Sequence, residues 1–271
     1  MMAKVLHPTC TGLFYRSETD ALRADVDRFL AEAPVSTLRP QAIIAPHAGY
    51  AYSGPIAGAA YRCVQNVAAQ VNRVVLLGTC HVAGVRGLAT TTAEAIATPL
   101  GDVTVDQAGV QRVRAIAGEG ADVTVDDTAH REDHALVVQL PFLLAVLGEF
   151  SVIPFLVGPC PTDRVADVLD AVCVDGDSLR DDTLIVVSTD LSHYLDYETA
   201  CRMDRATADA IVALEPDRLD GPRACGYVAA GGLIHFARRH GLRASVLDLR
   251  NSGDTAGSRH RVVGYGAFAF E

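Results

Sequence analysis

Three short apolar stretches of the chain each lead into a histidine. They lie at residues 42–45 before His47, 74–77 before His81, and 184–187 before His193. Apolar runs of this length, bounded by proline, glycine or polar residues, are typical of buried strands. In an open parallel sheet, the carboxyl ends of the strands face the ligand crevice. The spacing therefore predicts three imidazoles at one sheet edge, forming a metal site or an acid–base site.

His47 and His81 are the first candidates for metal ligands, because neutral imidazole binds iron, copper and zinc. Two histidines are commonly completed by a third, anionic ligand. Asp190 and Cys225 are both candidates for that position. Cys225 precedes a predicted helix, whose N-terminus would lower the pKa of the thiol. The alternative is that Cys225 is a buried structural cysteine.

Two further pairs leave alternatives open. Asp190 and His193 lie three residues apart, and could be a helix-capping carboxylate with a surface histidine, or a carboxylate beside a general base. His130 and His134 have the i, i+4 spacing of a metal pair on a helix, but acidic neighbours favour a loop. His134 also begins an apolar stretch, and we expect it to point into the crevice.

Predicted strands and helices alternate along the chain, which favours an α/β fold: one domain over residues 1–271, with a mixed central sheet and helices on both faces. The predicted strands are 41–45, 73–78, 121–125, 151–157, 183–188, 244–249 and 262–270. The predicted helices are 20–31, 56–67, 106–117, 134–147 with a kink at Pro141, 164–174, 198–214 and 227–239. Loops are predicted at 46–54 and 126–134.

Composition excludes several classes of function. The net charge is −10 and the sequence pI is about 5.3, so nucleic acid and anionic membrane surfaces are not expected partners. No apolar run has the length of a membrane span, and no signal peptide is evident. Seven dispersed cysteines without a CxxC pair indicate reduced thiols and a cytoplasmic location. Lys4 is the only lysine, which argues against Schiff-base and P-loop chemistry.

Five motifs, in the same order, resemble the MEMO family. They are PHAGYAYSG at 46–54, GTCH at 78–81, DHALVVQLPFL at 133–143, STDLSHY at 188–194 and CG at 225–226. That family is similar in fold to the LigB-type class III extradiol dioxygenases. The resemblance implies that His47 and His81 are metal ligands and that Cys225 replaces the glutamate ligand of the dioxygenases. It also makes His193 the base, with Asp190 and His134 lining the pocket, while Val137 stands where relatives have glutamate.

The resemblance implies a dioxygenase-like, non-haem iron oxidoreductase that acts on a small, phenolic substrate. Fe(II) is the expected metal, and a thiolate ligand makes copper or zinc the alternatives. A non-enzymatic protein that binds a metal or a peptide in the same crevice is the second hypothesis, and zinc-assisted hydrolysis is the third. AMMECR1-like and radical SAM proteins are the protein partners that the resemblance implies.

Overall fold

The fold is described from a computed structural model, which covers residues 4–82, 84–117 and 123–271. The strands are β1 Val5–Leu6, β2 Ala42–Ala45, β3 Arg73–Thr79, β4 Leu88–Thr90, β5 Ala95–Ile96, β6 Val103–Val105, β7 Val123–Val125, β8 Ser151–Val157, β9 Val174–Asp175, β10 Ser178–Leu179, β11 Thr183–Ser188, β12 His193–Leu195, β13 Ala244–Asn251 and β14 Val262–Phe270. The α-helices are α1 Thr19–Glu32, α2 Tyr50–Val64, α3 Gln107–Ala117, α4 Asp127–Glu132, α5 Leu140–Leu147, α6 Thr162–Cys173, α7 Tyr197–Val212 and α8 Tyr227–His240.

Most strands join one mixed sheet, whose main path runs β1-β5-β6-β8-β3-β11-β2-β14-β12. Its centre is parallel: β8 pairs with β3, β3 with β11, and β11 with β2. Strand β14 then pairs antiparallel with β2 and with β13. The predicted α/β fold with a mixed central sheet is confirmed.

Helices cover both faces of this sheet. Helices α2 and α7 each pack on β13 and β14. Helix α2 also packs against α1 and α5, whereas α6 packs against α3 and α8, and α8 reaches β3 and β11. The central strands consequently have no solvent face, and every residue of β2 and β11 is buried. Continuous apolar runs, rather than alternating ones, are what strands covered on both faces require.

Helix α2 begins six residues earlier than predicted. Residues 46–54 were predicted as a loop because proline and glycine are frequent there, but the helix starts at Tyr50 and contains Pro55. The glycines fit a close helix–helix contact, since a Cβ at Gly54 or Gly58 would overlap Phe29 of α1. Packing against α1 therefore outweighs the hydrogen bond that Pro55 cannot make. Helix α1 itself is confirmed, and its apolar residues Leu22, Val26, Phe29 and Leu30 are buried.

The segment before β8 also differs from prediction. Part of the predicted loop at 126–134 is helix α4, because the Asp126 side chain caps it by accepting the Ala129 N–H at 2.8 Å. The predicted helix at 134–147 is a 3₁₀ turn, Val137–Gln139, followed by α5 with Pro141 in its first turn. Proline is tolerated there without a kink. Of the predicted strand at 121–125, residues 121 and 122 lie outside the described residues, and 123–125 form β7.

None of the helices among the described residues combines the length and the apolar character that crossing a bilayer requires.

Candidate metal centre

The carboxyl ends of β2, β11 and β3 lie side by side, because β11 is hydrogen-bonded between the other two strands. Ser188, the last residue of β11, pairs with Ala45 on one side and with Gly78 on the other. His47 follows β2 by two residues, and His81 follows β3 by two residues. A parallel register thus brings the two histidines to the same sheet edge, as the sequence predicts.

His47 is buried and is held by its backbone and by its ring. Its N–H donates to Asp190 Oδ1 at 2.8 Å, and the same oxygen accepts the Ala48 N–H at 3.3 Å. The ring Nδ1 lies 3.1 Å from Ser188 Oγ, and Nε2 lies 3.3 Å from Cys225 Sγ. Asp190 is therefore neither a helix cap nor a free carboxylate, since it fixes the turn that presents His47.

The hydrogen bonds of Ser188 define which nitrogen of His47 is free. The Ser188 hydroxyl donates its one proton to the Ala135 carbonyl at 2.5 Å and accepts from Gln139 Nε2 at 2.7 Å. Because that proton is used, Ser188 Oγ can only accept from His47 Nδ1. In its neutral form, His47 then carries the proton on Nδ1 and turns the lone pair of Nε2 toward the crevice.

His81 is held by Asp133 in a similar way. The His81 N–H donates to Asp133 Oδ2 at 2.5 Å, and the ring Nδ1 lies 3.2 Å from Oδ1. Burial alone would lower the pKa of His81, but hydrogen bonds with Asp133 and Cys225 outweigh it and raise the pKa to about 10. A carboxylate on one ring nitrogen is the arrangement that orients metal-binding histidines.

His134 completes a cluster of three imidazoles. One ring nitrogen each from His47, His81 and His134 lies within 4.8 Å of the others, a spacing that could hold a metal ion. The His134 ring stacks on His81 with centroids 4.4 Å apart, and on Phe14 at 4.0 Å. Burial, and then the positive charges of His47 and His81, lower its pKa to about 3, so His134 is neutral at pH 7.

Cys225 lies beside this cluster, against His47. Its backbone N–H bonds to the Asp190 carbonyl at 3.3 Å, and the next N–H, that of Gly226, bonds to Thr189 Oγ1. Burial would raise the pKa of the thiol, but the charge and hydrogen bond of His47, with a hydrogen bond from His81, lower it to about 6. The thiol is therefore a thiolate at neutral pH.

Two other predicted histidines are not among the three clustered ring nitrogens. His193 is the first residue of β12, and its ring centroid is 5.9 Å from that of Tyr194, a residue held at φ +59°. His130 is buried, with Nε2 2.9 Å from the Ala89 carbonyl. The cluster that could hold a metal ion joins His134 to His47 and His81 and does not include His130.

Sequence reasoning from spacing missed Phe14 and Gln139. Phe14 covers the outer face of His134, and Gln139 links Ser188 to Tyr61, whose hydroxyl donates to Gln139 Oε1 at 2.8 Å. The sequence signals for these residues are resemblances to motifs of the MEMO family: GLFY at 12–15, which contains Phe14, and DHALVVQLPFL at 133–143, which contains Gln139. Val137, at the position for which the resemblance implies glutamate, is buried in the core.

Comparison with known proteins gives consistent matches over nearly the whole chain. A family model described as Memo-like protein matches residues 7–269. A MEMO1 family protein of Aquifex aeolicus is 32% identical over 271 residues, covering 97% of each chain. One from Desulfurococcus amylolyticus is 31% identical over 234 residues, covering 84% of this chain and 81% of that one. A solved structure of the uncharacterized Escherichia coli K12 protein JW3007 is 13% identical, with a TM-score of 0.45 over 76% of this chain and 91% of that chain, too distant to support an argument.

Proposed function

The chain belongs to the Memo-like family, and we propose that it is a metal-dependent oxidoreductase that binds Fe(II) at the histidine cluster. The observation that carries this proposal is the convergence of three imidazoles, two of them oriented by buried carboxylates. We assign His47, His81 and Cys225 as the ligands, with His134 beside them. The substrate would be a small chelating molecule such as a phenol.

The donor set fits a transition metal. His47 presents Nε2, because Ser188 occupies Nδ1, and His81 presents Nε2, because Asp133 occupies Nδ1. Cys225 supplies a thiolate, and together these ligands suit Fe(II), Cu or Zn better than Mg²⁺ or Ca²⁺. When bound, the metal would supply Lewis acidity and a redox centre.

The remaining residues have separable roles in this proposal. His134 is neutral and stacked between Phe14 and His81, so it can accept a hydrogen bond from a substrate hydroxyl or serve as a further ligand. His193 would remove the substrate proton, and Asp190 positions His47. Phe14 shields the cluster and limits the entry of water on that side.

The thiol of Cys225 favours a second candidate, a protein that binds a metal without turning over a substrate. Its Sγ lies 3.3 Å from His47 Nε2, and a soft thiolate paired with imidazole suits Cu(I). The two candidates differ in which metal is retained and in whether oxygen is consumed.

One experiment separates these functions. Protein purified without added metal is analysed by mass spectrometry for iron, copper and zinc, and oxygen uptake is then followed with a panel of catechols. Iron with oxygen uptake supports the oxidoreductase, copper without uptake supports the second candidate, and zinc without uptake contradicts the oxidoreductase and supports zinc-assisted hydrolysis. His7→Ala, at an exposed histidine outside the cluster, is the control for nonspecific metal binding.

The base is tested by His193→Ala. General bases contribute about 10²–10⁴-fold to rate, so this variant should keep its metal and lose turnover by that factor. Loss of metal would instead make His193 a ligand. Normal turnover would remove it from the mechanism.

A further inference from the structure

We propose that Asp204 of helix α7 is the positioning residue for the turn that carries Asp190 and His193. The proposal goes beyond the assignment of ligands and base, and it rests on the proposed function only where turnover is the readout. Its basis is a buried carboxylate of a helix that bonds to the backbone of the turn.

The first observation is the contact itself. Asp204 is 3% exposed, and its Oδ1 accepts the Ser192 N–H at 3.0 Å. Ser192 lies between Asp190, which holds the backbone of His47, and His193. Few carboxylates are buried to this degree without a charged partner. Here the partner is a backbone N–H of the turn that carries Asp190 and His193, and the ionised carboxylate makes this hydrogen bond charge-assisted.

The second observation is that the Asp204 carboxyl group occupies the space beside Gly264, which has no side chain. A Cβ at Gly264 of β14 would overlap the carboxyl group of Asp204, so only glycine leaves that space. The same glycine bonds to the turn through its backbone. Its N–H donates to the Ser192 carbonyl, and its carbonyl accepts the Leu191 N–H, both at 2.8 Å.

The turn is consequently held from three directions. Asp190 bonds to the backbone of His47, Gly264 bonds to Leu191 and Ser192, and Asp204 bonds to Ser192. Of these, only Asp204 belongs to a helix. Shifting that contact would move Ser192 and the residue after it, His193, while His81, which Asp133 holds on another segment, would stay in place.

Asp204 also lies close enough to His193 for their charges to interact. Burial raises the pKa of the Asp204 carboxyl, and the Ser192 hydrogen bonds and the His193 charge oppose that rise. The other groups beside His193 are Tyr194 and, over the Tyr194 ring, Arg261. The carboxylate therefore bonds to the backbone of the segment that it positions, and its charge interacts with that of His193.

The test uses three single variants and one double variant of the full chain, each studied by nuclear magnetic resonance of the metal-free protein. Asp204→Ala removes the acceptor, Gly264→Ala displaces it, and Asp204→Asn keeps an amide oxygen that can accept the Ser192 N–H. We expect the first two to raise Ser192 amide exchange at least about tenfold and to shift the His193 ring resonances, and Asp204→Asn to retain the Ser192 protection. The double variant Asp204→Ala/Gly264→Ala should show the same Ser192 amide exchange as either single variant, because all three lose the same hydrogen bond between Asp204 and the Ser192 N–H.

A matched control separates positioning from general loss of stability. Asp196→Ala removes the carboxylate that caps the same helix by accepting the Thr199 N–H at 3.0 Å. It should lower the melting temperature without moving the Ser192 or His193 signals. If Asp204→Ala and Gly264→Ala change these signals no more than Asp196→Ala does, the proposal is overturned.

Turnover and metal content provide the second readout. Asp204→Ala should lower kcat about tenfold at unchanged metal content, and Asp204→Asn should recover most of it. Equal turnover in Asp204→Ala and wild type would overturn the positioning role. If the wild type turns over no substrate, the proposed function fails, and the Ser192 exchange decides the role of Asp204 by itself.

Discussion

The two ends of the central parallel strands use carboxylates in different ways. At the amino end, Arg73 Nε pairs with Asp106 at 2.9 Å, and Arg180 pairs with Asp175 at 3.0 Å just before β11. At the carboxyl end, Asp133 and Asp190 bond instead to backbone N–H groups that follow the strands, and Asp133 also bonds to an imidazole.

This difference teaches what a candidate metal site requires of its surroundings. A guanidinium keeps its positive charge and neutralises a carboxylate permanently. An imidazole, in contrast, can lose its proton when a metal binds to the same ring nitrogen. The carboxylates at the carboxyl end therefore orient ligands and leave negative charge available to a cation. Those at the amino end contribute ordinary ion pairs.

The largest effect is expected from His81→Ala. Removing a ligand should weaken metal binding by more than about 100-fold, since even the loss of a ligand's hydrogen-bond partner costs 10–100-fold. The matched variant at the other strand end, Arg73→Ala, should lower stability and leave metal affinity unchanged. Competition with a chromogenic chelator measures affinity, and circular dichroism checks the fold. Equal affinities in the two variants would contradict the assignment.

Asp133→Asn should come next, with a loss of about 10–100-fold in metal affinity. The amide cannot both accept the His81 N–H and hold the ring nitrogen as a carboxylate does. Asp106→Asn changes a half-buried carboxylate at the amino end and is the control, with an expected change below twofold. Similar losses in both would show that total charge, rather than the orientation of His81, governs binding.

The pH dependence of metal binding follows from the pKa of the Cys225 thiol and the pKa of the His81 imidazole. Between about pH 6 and pH 10, Cys225 is already deprotonated, but His81 still carries its proton in the metal-free protein. Burial opposes a charge on His47, but Asp190 and Cys225 outweigh it and raise the pKa of His47 as well. Each bound ion should then displace at least one proton, so affinity should rise at least about tenfold per pH unit over that range. Titration calorimetry in buffers of different ionisation enthalpy counts the protons. The release should be smaller by about one proton in His81→Ala.

Cys225 should alkylate with an apparent pKa of about 6 in the metal-free protein and be protected when metal binds. Cys201, an exposed cysteine, should label in both states and serves as the internal control. Mass-spectrometric mapping reads both sites in one sample. Labelling of Cys225 that is insensitive to metal would remove it from the ligand set and leave His134 as the third ligand.

The smallest effect is expected from Arg180→Ala at the amino end. Its partner Asp175 is largely exposed, and exposed ion pairs contribute about 0–1 kcal/mol. The free energy of unfolding, measured in urea, should fall by less than about 1 kcal/mol, and metal binding should not change. A larger loss would mean that the buried Nε of Arg180, which lacks a partner among the described residues, is satisfied in solution.

The sequence was most informative where one local pattern is sufficient. Apolar runs predicted β2, β3 and β11. The candidate ligands His47 and His81 were then found just after β2 and β3. It failed at α2, where Pro55 and neighbouring glycines indicate a loop until the contact with Phe29 is known. Intrinsic propensity is a weak prior, and tertiary packing overrides it.

The candidate site was less predictable than the strands, because its hydrogen bonds join distant parts of the chain. Ser188 contacts Gln139 and His47, and no spacing in the sequence relates these residues. The third imidazole illustrates the same limit. His134 was expected to line the pocket, but its position among the ligand atoms depends on Asp133 holding the following turn through the Ala135 N–H.

The position of β11 between β3 and β2 has a consequence for the order of folding. During synthesis, β2 and β3 emerge long before β11, yet they become neighbours of a common strand only when β11 inserts. Inserting a strand that pairs with residues more than 100 positions earlier is entropically costly and slow. His47 and His81 therefore stay apart on the nascent chain, and a chain truncated before residue 183 should not capture metal as the complete protein does. On the proposed function, metal binding would then be a late event that requires the completed sheet.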